Sequence, residues 1–296
     1  MIIMRRNITA ESKSPGINRE YILGLAVDRI DYQTALSKIE SYVCDGGKHL
    51  VVTPYAESVV AALHDEEFRE VVHNSSLSVP DGGSLLAASE YLSYHLPKNK
   101  FLRVPLALVL GLWVGARLAF APQTFKNIKS RVSGTDLVES LCKLSSLKGY
   151  KVYFLGGGAA SASEAAGVMR AKNPKLMIQF DGGPARLRDA SKEVIDSVIK
   201  SINDFGPDFL FVAFKPVEQE KWLAAHMGQI NAKVFMAVGG AFNMISGRKA
   251  RAPKILQRFN LEWLWRLMIE PSRIGRIFNA VIVFPWLVFK SKISTR

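Results

Sequence analysis

The sequence predicts an α/β protein: a Rossmann-like, mainly parallel sheet with helices on both faces, followed by a helical, basic carboxyl-terminal appendage. Three observations predict it. Short apolar runs of strand length alternate with stretches of helical periodicity from about residue 21 to 245, the rhythm of repeated strand–helix units. Several runs end in glycine- or proline-shaped turns, as at Pro80-Asp81-Gly82, Gly156-Gly157-Gly158 and Gly239-Gly240, where strands of an open sheet hand over to helices. From residue 246 onward the alternation stops, and basic residues are interleaved with bulky apolar ones.

A chain of 296 residues, 48% hydrophobic and 22% charged, buries a real core and is not disordered. The expected organisation is a loose tail over 1–20, an α/β domain over 21–245 with an apolar insertion at about 94–128, and the appendage over 246–296. The formal net charge of +13 points to anionic partners. From Arg251 to the end, nine Lys or Arg stand against two acids, Glu262 and Glu270. Mixed with tryptophan, phenylalanine and isoleucine, they suit an anionic membrane surface better than nucleic acid. Cys44, Cys142 and five scattered histidines show no metal-ligand spacing, so a reducing compartment, no metal and no cofactor are expected. Residues 1–20 lack the apolar core of a signal peptide, which implies a cytosolic topology. A homo-oligomer is compatible with the sequence, which does not specify one.

Taken in order, Tyr21–Val27 is a strand candidate, and Tyr32–Val43 has apolar residues at helical spacing (Ala35, Ile39, Val43). His49–Thr53 reads as a buried strand stopped by Pro54, with helical stretches after it through Val60, Leu63 and Val72. Ser76–Val79 is a strand that delivers Asp81, and Ser84–Leu92 a helix. Val104–Ala116 runs thirteen residues without a charge between Arg103 and Arg117, short of the roughly 20 that span a bilayer. It is either a buried core helix or a membrane-dipping hairpin. Alternation then returns: helix from Gly134 to Leu147, strand 151–155, helix 159–171, strand 176–180, helix 191–203, strand 208–214, helix 217–227 and strand 233–238. Ile255–Glu270 is expected as one helix apolar on two sides, broken by Pro271. Ala280–Phe289 is an apolar block suited to anchoring at an interface.

Asp81 stands at the end of a strand, where open α/β sheets bind ligands, and reads as a catalytic base; Pro-Asp-Gly is equally the composition of a plain turn. Gly156–Gly158 opens a helix amino terminus, a ready anion site. Together with Asp181 it approaches a dinucleotide fingerprint that lacks its third glycine, so a nicotinamide-dependent oxidoreductase stays open, as does a non-catalytic membrane-associated scaffold. Gln219 would project at the same crevice from the first turn of its helix. Arg248, Arg251, Arg258, Arg266, Arg273 and Arg276 suit diphosphate or lipid phosphate.

The ordered set Thr53-Pro54, Pro80-Asp81-Gly82, Ser133-Gly134-Thr135-Asp136, Gly156–Gly158, Gly206-Pro207-Asp208, Gln219-Glu220-Lys221-Trp222, Gly239-Gly240-Ala241-Phe242 and Arg251-Ala252-Pro253 resembles the WecG/TagA/CpsF glycosyltransferases, glycosyltransferase family 26. The likeness covers roughly residues 21–278. It implies an inverting, metal-independent enzyme of bacterial surface polysaccharide synthesis. Such an enzyme moves N-acetylmannosamine, or a related hexose or uronic acid, from a UDP-sugar donor to a polyprenyl-diphosphate-linked acceptor at the cytoplasmic face of the inner membrane. By this resemblance Asp81 is the general base. Substrate falls to Thr53, Tyr55, Thr135, Asp136, Gly156, Gly157, Gly158, Gln219, Gly239, Gly240, Asn243, Arg251, Arg258 and Arg266. Three features depart from the family pattern: Tyr55 in place of asparagine, Asn243 in place of aspartate, and the long insertion at 94–128.

Overall fold

A computed structural model describes residues 10–11, 16–128, 130–253, 255–256 and 259–294. Six strands form a wholly parallel sheet: β4 (His49–Val52), β5 (Leu77–Ser78), β6 (Lys151–Gly156), β7 (Met177–Asp181), β8 (Phe209–Ala213) and β9 (Val234–Ala237), in the order 5-4-9-8-6-7. Because strand side chains alternate, each central strand feeds two cores. Tyr153, Leu155, Leu210, Val212 and Phe235 point to one face, where α2 (Ala56–Ala62), α3 (Glu66–Asn74), α4 (Gly83–Ser93), α8 (Lys192–Phe205) and α9 (Glu218–His226) cover them. Val152, Phe154, Phe209, Phe211 and Met236 point to the other, under α1 (Tyr32–Ser41), α6 (Gly134–Lys148), α7 (Ala159–Lys172) and α10 (Ala241–Ile245). The predicted doubly covered sheet is therefore present.

The expected strand over 21–27 is instead a hairpin. β2 (Asn18–Ile22) and β3 (Leu25–Asp28) pair antiparallel, with β1 (Ala10–Glu11) beside β2. The chain reverses at Leu23-Gly24, with φ of 49° and 90°, the left-handed pair that a two-residue hairpin turn requires. β2 thus begins within the stretch expected to be tail; residues 1–9 and 12–15 lie outside the described ones. A buried ion pair bolts this small sheet to the large one. Arg19 donates to both carboxylate oxygens of Asp28, at 2.7 and 2.9 Å, and to the carbonyls of His73 and Ser75. The same carboxylate accepts the Ser78 N–H of β5 at 2.7 Å.

The insertion holds α5 (Lys100–Phe120), which is not a core helix. It packs along α4, with the Tyr91 hydroxyl donating to the Ala107 carbonyl. Arg103, Ala107 and Val114 face inward, whereas Phe101, Leu112 and Phe120 are each more than three-quarters exposed. The expected helix over 255–270 is interrupted: Asn260 adopts a left-handed φ of 57° and donates its side-chain amide to the Leu118 carbonyl of α5. After that turn come α11 (Glu262–Ile269), α12 (Ile274–Phe278), a π-helical turn (Asn279–Val283) and α13 (Phe284–Ser294). The stretches Lys100–Phe120 and Pro271–Ser294 are each long and apolar enough to cross a membrane, longer than the sequence runs suggest because flanking cations turn inward.

Asp28→Ala leaves the Arg19 guanidinium buried without its partner, a change that costs about 3–5 kcal/mol in such pairs. A urea titration should show a loss of that size; a loss below about 1 kcal/mol would mean that the pair does not anchor the hairpin.

Candidate active site

The loops at the carboxyl ends of β4, β5, β6, β7, β8 and β9 surround a cleft of about 850 Å³, with α11 and α12 along one side. Thr53, Asp81, Gly157, Gly183, Phe214 and Gly239 mark the six strand ends. The backbone fixes their relative positions. Asp81 N–H donates to the Pro54 carbonyl at 2.9 Å, and Val132 N–H to the Pro80 carbonyl at 2.9 Å. Gly156, at φ 95°, comes so close to β8 that an added Cβ would lie 2.7 Å from the Ala213 carbonyl oxygen. The neighbouring Gly157 N–H donates to that same oxygen at 2.7 Å.

Helices α4, α7 and α10 start at Gly82, Gly158 and Gly240, residues with no side chain to occupy the first N–H groups. By contrast α1, α3 and α6 are capped by Asp31, Asp65 and Ser133. All three glycine starts line the cleft, so N–H donors and the positive ends of helix dipoles are directed at its occupant. Cations join them: Arg131, Arg266, Arg273 and Arg276 all line the cleft.

Asp81 opens on this cleft but is hemmed in by protein. Desolvation pushes its carboxyl above the usual range, and Glu262 pushes the same way; Arg131, Arg266 and the Gly134 N–H at 3.4 Å oppose the shift. The result is a carboxylate more basic than an exposed one, with cations beside it that offset part of the cost of its charge. Such a group can accept a proton from a bound hydroxyl. Arg131 is itself fixed by Glu262 at 2.8 Å.

The residues expected at the site divide. Thr53, Tyr55, Asp81, Thr135, Gly157, Gly158, Gln219, Gly239, Gly240, Asn243, Arg251 and Arg266 all line the cleft. Asp136 and Gly156 are not among its lining residues. Asp136 is turned to Arg251 at 2.7 Å, and Gly156 serves the close approach of two strands. Arg258 lies outside the described residues. Gln219 is fully engaged by protein. Its amide oxygen accepts the N–H groups of Phe214 at 3.1 Å and Gly239 at 3.0 Å, and its amide nitrogen donates to Glu220 at 2.9 Å. It therefore ties the loop after β8 to the loop after β9. Tyr55 donates to Glu57 at 2.7 Å and accepts from Arg276 at 2.6 Å, while Arg276 also contacts Glu57 at 2.8 Å. Asp181, the acid that a dinucleotide site would need, turns to the Gly183 N–H at 2.8 Å and does not line the cleft. Sequence reasoning missed Arg131, Glu57 and the site role of Glu262, which carry no local signal; only Glu262 stood inside a quoted stretch.

An open parallel sheet, uncapped helix starts and a desolvated strand-end carboxylate beside arginines define an α/β enzyme built to act on an anionic ligand. The chain belongs to the Glycosyl transferase WecG/TagA/CpsF family, whose profile matches residues 20–110 and 106–296; it is a glycosyltransferase. Among its relatives are N-acetylglucosaminyldiphosphoundecaprenol N-acetyl-beta-D-mannosaminyltransferases of Staphylococcus aureus. Those of strains MRSA252 and NCTC 8325 / PS 47 are 26% identical over 273 residues, 92% of each chain. That of strain MW2 is 25% identical over the same share.

A carboxyl whose folded pKa is raised weakens the fold as pH climbs through that pKa. Above that pKa, Asp81→Asn removes a desolvated charge and should melt no lower than the parent protein. A clearly lower melting temperature would mean that Asp81 serves the fold rather than the cleft.

Proposed function

We propose that this protein transfers N-acetylmannosamine, or a related hexose or uronic acid, from a UDP-sugar to a polyprenyl-diphosphate-linked saccharide. The reaction proceeds with inversion, in bacterial surface polysaccharide synthesis at the cytoplasmic face of the inner membrane. The observation that carries the reading is Asp81, a desolvated carboxylate at a strand end facing a cleft lined by N–H groups and guanidinium groups. In a single displacement the acceptor hydroxyl attacks the anomeric carbon and Asp81 takes its proton. The bond to UDP breaks, and its electron pair leaves with the diphosphate. That charge falls to the glycine-loop N–H groups and to Arg251 and Arg266 of the appendage, donors already in place before the reaction begins. The names of the staphylococcal relatives favour the donor sugar and the diphosphoundecaprenol acceptor. Residues 21–245 form the catalytic domain in this reading, and 246–296 the appendage that seats it on an anionic membrane.

Asp81→Asn should lower kcat by on the order of 10²- to 10⁴-fold while UDP still binds; turnover near the parent level would remove Asp81 from the base role. The exposed face of α5 gives a second expectation. Val109→Asp with Leu112→Asp, both on that face, should reduce flotation with anionic vesicles, and undiminished flotation would place the membrane contact elsewhere.

A further inference from the structure

The cleft is cationic at one end and apolar at the other, and one helical stripe supplies both. Arg273, Arg276, Ile277, Ala280, Val281 and Pro285 all line it, largely three or four residues apart in the manner of a single helix face. Its two guanidinium groups are held in place: Arg273 by Glu270 at 2.7 Å and Arg276 by Glu57 at 2.8 Å. Past Arg276 the stripe carries no polar side chain. From Ile277 to Pro285 it extends about 12 Å at 1.5 Å per residue, and Leu118 of α5 also lines the cleft. Ala280 and Val281 fall in the π-helical turn, a distortion that re-aims side chains and recurs at functional sites.

The apolar end leads out to a surface built inside out. Pro285 is exposed, and beside it Trp286 is 59% exposed. Phe278 and Ile282 of the same segment are each 54% exposed, and α13 packs against α5, whose Leu108, Val109 and Leu112 stay exposed. Three of the five cations of this helix pair turn inward instead, while Lys100 and Lys290 stay exposed. Arg103 donates to the carbonyls of Pro97, Lys98 and Ile293; Arg117 binds Glu90 at 3.0 Å; Lys292 donates to the carbonyls of Leu92 and Tyr94. Helices that hide charge and expose leucine, phenylalanine and tryptophan suit hydrocarbon rather than water. No Asp or Glu occurs between Glu90 and Asp136 or after Glu270. The flanks are therefore cationic only, which attracts anionic head groups and repels a second copy of the same surface.

Resting on the acceptor class proposed above, we propose that the acceptor's isoprenoid chain enters the cleft sideways from the bilayer. It lies along Ile277, Ala280, Val281 and Pro285 beside Leu118, with the diphosphate at Arg273 and Arg276. An amphiphile with a doubly anionic head and a linear, methyl-branched run of isoprene units matches this gradient; a free sugar phosphate matches only its cationic half.

The test compares two acceptors with the same saccharide diphosphate head, one on a long polyprenyl chain and one on a two-isoprene chain, in the same anionic vesicles with the bound fraction of enzyme measured by flotation. The parent enzyme should show kcat/KM at least tenfold higher for the long chain. In Val281→Asp, and independently in Ala280→Phe, that ratio should fall severalfold toward one at equal vesicle binding. An unchanged ratio in both folded variants would place the chain elsewhere, and equal use of the two acceptors by the parent enzyme would mean that no tail site exists. Transfer to neither acceptor would instead overturn the acceptor class itself. Concentration-dependent dimers without vesicles, lost in Val109→Asp with Leu112→Asp, would assign the apolar surface to a second copy and end the proposal.

Discussion

The cleft depends on one electrostatic compromise: a carboxylate kept short of water without being kept short of positive charge. Burial alone would leave Asp81 protonated and useless as a base, and full exposure would leave it too weak a base to help much. Arg131 and Arg266 set the balance against desolvation and Glu262. Arg131 is anchored at 2.8 Å by the same Glu262, so one acid both fixes the cation and tempers its pull. Holding this arrangement falls to a strand only two residues long. β5 is secured from outside itself, by the Asp28 carboxylate on the Ser78 N–H and by backbone bonds from Asp81 and to Pro80. The Arg19–Asp28 pair is thus a support of the site, though it lies outside the cleft.

A second consequence concerns the appendage. Arg266 reaches Asp81 electrostatically, Arg276 binds Tyr55 and Glu57 of the loop after β4, and Asn260 is tied to Leu118 of the insertion. The carboxyl-terminal segment is therefore a wall of the cleft as well as a part of the apolar surface. Chemistry on a lipid-linked substrate needs both at once, because the reacting hydroxyl lies at the polar end of a molecule whose other end stays in hydrocarbon.

Much of this was legible in the sequence, for identifiable reasons. Strands such as Lys151–Gly156 and Phe209–Ala213 are buried on both faces and read as unbroken apolar runs. Asp81 and the glycine starts are visible because turn chemistry is local. What stayed hidden is set by tertiary packing. Arg117 is drawn inward by Glu90, 27 residues away, so the bare face of α5 cannot be read from a helix apolar at nearly every angle. Arg131 and Glu262 are 131 residues apart, and no local spacing links them. The hairpin at Leu23-Gly24 was missed because leucine rarely takes a left-handed φ. Gly156 and Asp136 look like ligand residues because they sit in the right motifs, yet their partners are Ala213 and Arg251.

The pH dependence of kcat/KM tests the central claim most directly. In the proposed mechanism transfer needs Asp81 ionised, so the rate should rise with pH through a pKa above the ordinary carboxylate value, in the direction that burial sets. Arg131 opposes that shift, and Arg131→Gln should move the acid limb to higher pH whatever it does to the height of the profile. An acid limb that stays at the ordinary carboxylate value and does not move in Arg131→Gln would contradict the account.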